Sequence, residues 1–381
     1  MHQGLRQGRN GFSFLLFTTI VILLGNFVRS FSFTPSSHFT RPIQLSMLSP
    51  SSSSSPISLS TKTISKLTEI ESQIGQDAGN RGMKALIQSG DLHSAAAIAA
   101  NLPPSSHVVL LSGFPCCVNH DPPTETDGPP GTVALVKCAL ALGFRTTLVT
   151  DKCNEHVFAA AVEEFMSDSR FALQVYSPCT SPDASLPKEE ERKMEELVLS
   201  ADLIIACERA GPAKDGNCYT MRGINMTERG LIAPLERIVH RVRELKDDIK
   251  FIAIGDGGNE MGMGKAIDAI RNSPKIENGD LIGAVTPADF LIAASVSNWG
   301  GYALAAAVAL VKSEDCKEKD LKEWIESCVP TESSEVALLE RCVSKGCRDG
   351  VSGLMEATVD GMSLDTSMQC LQRIRSIALG H

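Results

Sequence analysis

The chain has 381 residues, of which 43% are hydrophobic and 21% charged, so it can bury a sizeable core and falls in the range of ordinary globular proteins. Asp and Glu are absent before Glu69, whereas the same stretch carries six Lys or Arg residues. A mature chain starting near Glu69 would therefore carry 30 basic and 45 acidic residues, a net charge of −15. Because phosphate binding needs a basic face, this charge argues against a nucleic acid as partner.

The first 64 residues are typical of a targeting region. Arg6 and Arg9 precede an uncharged run over residues 10–28, the pattern of a secretory-type signal. The run is long enough for a membrane anchor, but polar residues dilute it and a Ser-rich tail follows. We therefore expect a signal-like leader over residues 1–30, a disordered Ser-rich transit or linker segment over 31–64, and no stable membrane span in the mature chain.

The stretch RSFSFTPSS points to an organelle. It resembles the bipartite presequences of algae with complex plastids, in which a phenylalanine follows the cleavage point of the signal peptide. Phe31 or Phe33 would take that position. The resemblance implies a plastid location, with the mitochondrion as the alternative.

Cysteine and histidine usage argues against a dedicated transition-metal site. All twelve cysteines lie at Cys116 or later without a C-x-x-C pair, and the eight histidines occur singly. Scattered cysteines with apolar neighbours are typical of buried free thiols in a reducing compartment. Cys116 is the exception, since it follows a predicted strand.

From about residue 65 onward, short apolar runs alternate with helical patterns. Continuous apolar runs rich in branched residues are typical of strands buried on both faces of a parallel sheet. We therefore predict one α/β domain over residues 65–381, a doubly wound, mostly parallel sheet with helices on both faces in three layers, and a helical part from about residue 313. The predicted strands are HVVLLSGFP from His107, TTLVTD ending at Asp151, FALQVYS from Phe171, DLIIACE ending at Glu208, FIAIGDG from Phe251 and DFLIAAS from Asp289. The predicted helices are 131–142, 156–166, 188–200, 234–245 and 301–311.

Ligands of open parallel sheets bind beyond the carboxyl ends of the strands, and these ends are polar and glycine-rich here. The run GDGGNEMGMG from Gly255 is the strongest signal, because five glycines in ten residues let backbone approach a ligand closely. Asp256 and Glu260 place two carboxylates on that loop. A tight turn whose acids cap the next helix is the structural alternative. The run is neither a Walker loop nor a G-x-G-x-x-G motif, so it does not indicate a nucleotide.

Three other segments could contribute to the same rim. In ETDGPPG, Asp127 could cap the following helix or contact a ligand. In CERAGPAKDGNCYTMRG, Arg209 and Arg222 suit bidentate binding of a carboxylate, with an internal salt bridge to Glu208 or Asp215 as the alternative. In SNWGGYAL, backbone N–H groups before a helix could bind an anion or oxyanion.

These motifs together resemble the carboxy-terminal domain of the D-glutamate cyclase family. The two-domain animal mitochondrial form of that family also carries an amino-terminal hydro-lyase-like domain, where this sequence has its leader. The resemblance implies a lyase of the hydro-lyase type that interconverts D-glutamate and 5-oxo-D-proline with loss or gain of water. The motifs, in order, are DAGNRGM (77–83), LSGFP (111–115), TETDGPPG (124–131), ERAGPAKDGNCYTMRG (208–223), IGDGGNEMGMG (254–264) and SNWGGYAL (297–304).

For this chemistry we expect Asp256 to be the catalytic base, with Glu208 or Glu260 as alternates. We expect a small acidic metabolite as ligand and no cofactor other than a possible Mg²⁺; no lysine sits in a Schiff-base context, which argues against a pyridoxal enzyme. One alternative is a non-catalytic domain that binds an acidic metabolite. Another is a magnesium-dependent enzyme on a phosphorylated acid, with Asp151, Asp256 and Glu260 as ligands. The expected substrate-binding residues are Arg209, Arg222, Asp127, Asp151, Asp215, Tyr219, Gly257, Gly258, Asn259, Asn298 and Gly300.

Overall fold

A six-stranded sheet forms the centre of the protein, for which a computed structural model describes residues 59–316 and 318–381. The strands are β1 (His107–Gly113), β2 (Arg145–Asp151), β3 (Phe171–Tyr176), β4 (Leu203–Arg209), β5 (Lys250–Gly255) and β6 (Phe290–Ala293). Their order is β3-β2-β1-β4-β5-β6, and all five pairings are parallel. The predicted strands and the doubly wound α/β class are confirmed.

Helices cover both faces of the sheet, because alternate side chains of each buried strand point to opposite sides. In β1, Val108 and Leu110 belong to one apolar cluster, while Val109 and Leu111 belong to another. Helices α1–α4 and α9–α12 pack into the first cluster, and α5–α8 into the second. The helices are α1 (Thr61–Ile74), α2 (Asp91–Ala100), α3 (Pro129–Ala141), α4 (Glu155–Ala161), α5 (Lys188–Ser200), α6 (Glu236–Leu245), α7 (Ile267–Asn272), α8 (Gly279–Ile282), α9 (Ser297–Asp315), α10 (Leu321–Cys328), α11 (Glu332–Ser344) and α12 (Leu364–Leu379).

The features predicted for the amino-terminal region fall largely outside the described residues. The expected leader and most of the expected linker, residues 1–58, lie outside the described residues. Helix α1 begins before residue 65, where we expected the folded part to start, and the Ser60 hydroxyl caps it by accepting from the Thr63 N–H at 3.2 Å. Within the described part of the chain, no helix combines the length and apolar character needed to cross a membrane.

The strand order places a crevice beyond the ends of β1 and β4. The chain builds β1, β2 and β3 in one direction and then returns to add β4 on the other side of β1. Ligands of doubly wound folds bind at such a switch point. Helices α3 and α9 begin beside this crevice and touch where Gly131 meets Gly301, since a Cβ on Gly301 would lie 2.5 Å from the Gly131 carbonyl oxygen.

Asp151 and Arg209, which we expected to bind substrate, form an internal ion pair instead. Both side chains are 0% exposed. Arg209 also donates to the carbonyl oxygens of Gly113 at 3.2 Å and Ala233 at 2.8 Å, and Asp151 accepts from the Ala233 N–H at 2.6 Å. Arg209 therefore forms an internal salt bridge, which was the alternative to carboxylate binding, but its partner is Asp151 rather than Glu208 or Asp215. The pair ties together the ends of β1, β2 and β4.

Removing one member of this pair should destabilise the fold strongly. Arg209→Met leaves the Asp151 carboxylate buried without its partner, which typically costs about 3–5 kcal/mol of unfolding free energy. Urea unfolding at neutral pH measures the loss. The exposed ion-pairing residue Arg241 offers a matched control, and Arg241→Met should change stability little. A loss from Arg209→Met no larger than that of the control would contradict the structural role.

Candidate active site

A cavity of about 640 Å³ lies beyond the carboxyl ends of β1, β4 and β5, a volume suited to a small molecule. It is rich in acids: six carboxyl groups lie close together at it, five of them on its lining, and we call them the acid cluster; Glu277 also lines the cavity. Arg81, Arg222, Lys275 and His120 are the basic residues among its lining side chains. The acid cluster comprises Glu125, Asp127, Glu208, Asp256, Glu260 and Asp360, all of which except Asp127 line the cavity.

Glu208 enters the cavity from a β-bulge. The register of β4 against β1 pairs Ser112 with Cys207 and then Gly113 with Arg209, so Glu208 is the extra residue. Its φ of 42° lies in the left-handed region, which a non-glycine residue adopts at an energetic cost. Bulges re-aim a side chain next to functional sites. The Glu208 carboxylate accepts from the Ser297 hydroxyl at 2.5 Å.

Glu260 organises the glycine-rich loop after β5. One carboxylate oxygen accepts from the N–H groups of Asp256 at 3.2 Å and Gly257 at 2.6 Å, and the other from Gly258 N–H at 2.7 Å. We expected Gly257 and Gly258 to bind the substrate, through backbone N–H groups free to approach it. Their hydrogens point at Glu260 instead, so that expectation does not fit the structure.

Arg81 links Asp256 to a part of the chain far away in sequence. Its guanidinium hydrogen-bonds to Asp256, to Asp360 at 2.7 Å and to the Ser295 carbonyl oxygen at 3.2 Å. Asp360 lies in the loop between α11 and α12 with a φ of 55°. Sequence reasoning missed both Arg81 and Asp360. Arg81 lies in the DAGNRGM motif, which could have pointed to it. An aspartate followed by glycine, as at Asp360, predicts only a turn.

Asp127 and Asn298 cap each other's helices. Asp127 accepts from the N–H groups of Ser297 and Asn298, both at 2.8 Å, at the start of α9. The side-chain oxygen of Asn298 accepts from Gly128 N–H at 2.9 Å and Gly131 N–H at 2.8 Å, at the start of α3. Asp127 therefore caps α9 rather than the helix that follows it in sequence.

Helix α9 also begins earlier than predicted, at Ser297. Gly300 thus lies inside the helix, and its N–H donates to the Val296 carbonyl at 3.4 Å. A Cβ at this position would lie 2.4 Å from a methyl carbon of Ile254, so Gly300 serves helix-to-sheet packing. It is not placed to bind an oxyanion.

The polar segment after β4 reaches the cavity only in part. Arg222 is exposed and lines the cavity, where it donates to the Val351 carbonyl at 3.4 Å. Tyr219 donates its hydroxyl to Asp215 at 2.5 Å, and neither lines the cavity. Asn259 does line it, and its side chain donates to the Tyr219 carbonyl at 2.7 Å.

Burial changes the protonation of the acid cluster. Burial raises the pKa of Glu208 well above its usual range, and the neighbouring charge of Glu260 raises it further. Burial likewise raises the pKa of Asp256 although the Arg81 charge opposes this shift, and it raises those of Glu125 and Asp127. The raised pKa values suit these buried carboxyl groups to acid–base catalysis.

The acid cluster could also receive a cation. Carboxyl oxygens lie within 4.8 Å of one another in two groups, Asp127 with Asp256 and Asp360, and Glu208 with Asp256 and Glu260. Such oxygen ligands suit a hard cation such as Mg²⁺. Asp151 belongs to neither group, so the expected magnesium trio of Asp151, Asp256 and Glu260 is not assembled.

Comparisons with known proteins place the chain in a family. The family described as D-glutamate cyclase-like, C-terminal, matches residues 70–375. Human D-glutamate cyclase, mitochondrial, is 33% identical over 344 residues, which cover 84% of this chain. The matched part spans 54% of the human protein, so this chain corresponds to about half of its length.

Glu208 should make stability depend on pH. Its folded pKa lies above the ordinary value of 4.5, so the folded state keeps a proton that the unfolded state loses, and stability falls as pH rises above about 4.5. Glu208→Gln removes this titration. The variant should gain stability relative to the wild type between pH 5 and 8, by at most about 1.4 kcal/mol per pH unit.

Urea unfolding across this pH range measures the difference. The exposed Glu228→Gln is the control for the chemical change. A Glu208→Gln difference that stays constant across the range rejects the assignment.

Proposed function

Because the chain belongs to the D-glutamate cyclase-like, C-terminal family, we propose that it is a lyase that interconverts D-glutamate and 5-oxo-D-proline with loss or gain of water. The observation that carries the proposal is the pair formed by Glu208 and Asp256, which we call the acid pair. Carboxyl oxygens of the two residues lie within 4.8 Å of each other in the cavity. Both carboxyl pKa values are raised by burial.

The reaction needs an acid and a base at the same place. In cyclisation the α-amine of glutamate attacks its own γ-carboxyl carbon. A base must take a proton from the ammonium group, and an acid must protonate the oxygen that leaves as water. Two neighbouring buried carboxyls resist double ionisation, so the acid pair holds one proton and offers one free carboxylate.

The acid pair supplies both functions in our proposal. The ionised member takes one ammonium proton, the carbon–nitrogen bond forms, and the protonated member gives its proton to the departing hydroxyl, which leaves as water. The carboxylate left by that transfer takes the second nitrogen proton, and the pair then releases one proton to solvent. The reverse sequence opens the lactam ring with water. A rigid cavity wall also favours ring closure, since it holds the amine against the carboxyl carbon.

The substrate carboxylates require positive charge, which the acid cluster does not provide. Arg222 and Lys275 lie on the cavity lining, and we assign them to the α-carboxylate. Arg81 is engaged with Asp256 and Asp360, so its role is to hold the acids in place. A γ-carboxyl group entering the acid cluster would be bound in its protonated, neutral form.

The proposed location is an organelle. The human relative is named as mitochondrial, which supports an organellar location and favours the mitochondrion over the plastid that the leader composition suggested. Import of a fluorescent fusion of the first 64 residues into either organelle would decide between them.

The acid pair should be essential for turnover but not for folding. Asp256→Asn and Glu208→Gln should each lower kcat at least about 100-fold, the usual contribution of a positioned acid or base. The purified protein is incubated with D- and L-glutamate and with both 5-oxoprolines, and each compound is followed by chiral chromatography. Asp215→Asn is the matched control and should keep full activity, since Asp215 does not line the cavity.

Full activity in either acid-pair variant would reject the mechanism. If the wild type converts none of the four compounds but is thermally stabilised by one of them, the site is a binding site for an acidic metabolite instead.

A divalent cation in the acid cluster is the second candidate, favoured by the two groups of convergent carboxyl oxygens. It would neutralise the acids and polarise a substrate carboxyl group. Treatment with EDTA followed by addition of Mg²⁺ tests it. Loss and recovery of activity would assign the ion to the mechanism, and an unchanged rate would exclude it.

A further inference from the structure

Two adjacent cysteines form part of the cavity wall. Cys116 and Cys117 follow β1, and both line the cavity. Their sulfur atoms are 3.9 Å apart. All twelve cysteines are free thiols, and most are buried in the core, whereas Cys116 is partly exposed. This pair therefore differs from the other thiols in being close together and facing the cavity.

The surroundings leave room for chemistry at these sulfurs. Gly350 lies against them: a Cβ at that position would be 3.2 Å from the Cys116 sulfur and 2.1 Å from a Glu125 carboxyl oxygen. The absence of a side chain there keeps the Cys116 sulfur and the Glu125 carboxyl accessible from the cavity. The Cys116 sulfur and the Glu125 carboxyl are therefore neighbours on the cavity wall.

The two thiols differ in reactivity. The hydrogen bond from Cys116 lowers the pKa of Cys117, and the positive charge of Arg348 acts in the same direction. The same hydrogen bond, together with burial, raises the pKa of Cys116. Since the thiolate is the nucleophile, Cys117 is the attacking sulfur and Cys116 the resolving one.

We propose that Cys116 and Cys117 are a reversible modification site that a hydroperoxide oxidises to a disulfide between neighbouring residues. The Cys117 thiolate attacks the hydroperoxide, whose O–O bond breaks, giving a sulfenic acid and releasing an alcohol or water. The Cys116 sulfur then attacks that sulfenic sulfur, its thiol proton passes to the departing hydroxyl, the S–S bond forms and water leaves. Two thiols are oxidised by two electrons, and one hydroperoxide is reduced. The inference does not depend on the proposed reaction.

The disulfide would be easily reduced. Adjacent Cα atoms lie about 3.8 Å apart across a trans peptide, which is shorter than the usual separation of about 4.4–6.8 Å between disulfide-linked residues. Strained disulfides are the labile and regulatory ones. Oxidation also removes the thiol hydrogen that Cys116 donates to Cys117, so it changes the cavity wall. This bond is therefore a switch rather than a structural staple.

The chain contains a natural control for proximity. Cys138 and Cys328 are also neighbouring thiols, but both are buried in the core. If closeness alone decided reactivity, this second pair would be oxidised too. If access from the cavity decides it, only Cys116 and Cys117 react in the folded protein.

Mass spectrometry of the native full-length protein tests the proposal. The protein is treated with a slight excess of hydrogen peroxide, free thiols are blocked with iodoacetamide, and peptides are mapped. The expected peptide containing Cys116 and Cys117 lacks two hydrogens and both alkyl groups, and dithiothreitol restores full alkylation. Full alkylation of both residues after peroxide would overturn the proposal, as would a sulfinic or sulfonic product or preferential oxidation of Cys138 and Cys328.

A second measurement does not depend on oxidation. Phenylarsine oxide binds two neighbouring thiols at once, so the native protein should bind it at Cys116 and Cys117. The number of thiols that react with Ellman's reagent should then fall. Cys117→Ser should abolish binding, while Cys153→Ser, at a partly exposed cysteine outside the cavity lining, should retain it. Binding unaffected by Cys117→Ser would contradict the assignment. Peptide mapping of the wild type gives the answer independently if a variant fails to fold.

Discussion

Six carboxyl groups, most of them buried, lie close together at the cavity. The rest of the site must reduce the electrostatic repulsion among them. Ionised carboxylates are costly to bury, and neighbouring like charges add to the cost. Three kinds of interaction reduce this cost here. Arg81 neutralises Asp256 and Asp360, backbone N–H groups bind Glu260 and Asp127, and burial raises the pKa values of Glu125 and Glu208, which favours their neutral forms. The interactions that lower the energetic cost of burying the acid cluster also suit it to proton transfer.

The fold brings these interacting groups together from distant parts of the chain. The switch point between β1 and β4 provides the crevice, and the bulge in β4 turns Glu208 into it. The starts of α3 and α9 meet there and add the favourable field of two helix amino termini. The loop before α12 closes the arrangement with Asp360. The helical carboxy-terminal part therefore contributes to the site as well as to the core.

Sequence patterns predicted the sheet well because buried parallel strands leave an unambiguous signal of continuous apolar runs. They also placed Asp256, Glu208, Glu260, Asn259 and Arg222 at one rim, since the carboxyl ends of parallel strands share an edge. Individual roles were harder to predict. A motif cannot tell whether an arginine faces a ligand or an internal aspartate, and Arg209 proved to be the latter. The sequence did not indicate Asp360 as a site residue, because its position depends on a long-range loop contact. The strained backbone of Glu208 could not be predicted either, because it depends on strand register rather than on local residue type.

The protonation state of the acid pair tests the account most directly. Carbon-13 NMR of the side-chain carboxyls, with the Glu208 and Asp256 signals assigned from Glu208→Gln and Asp256→Asn, follows each group from pH 4 to 9. The account predicts that the pair retains one proton around neutral pH and titrates in two separated steps. If both residues titrate near the values of free aspartate and glutamate, the buried acid pair does not exist in solution and the proposed mechanism fails with it.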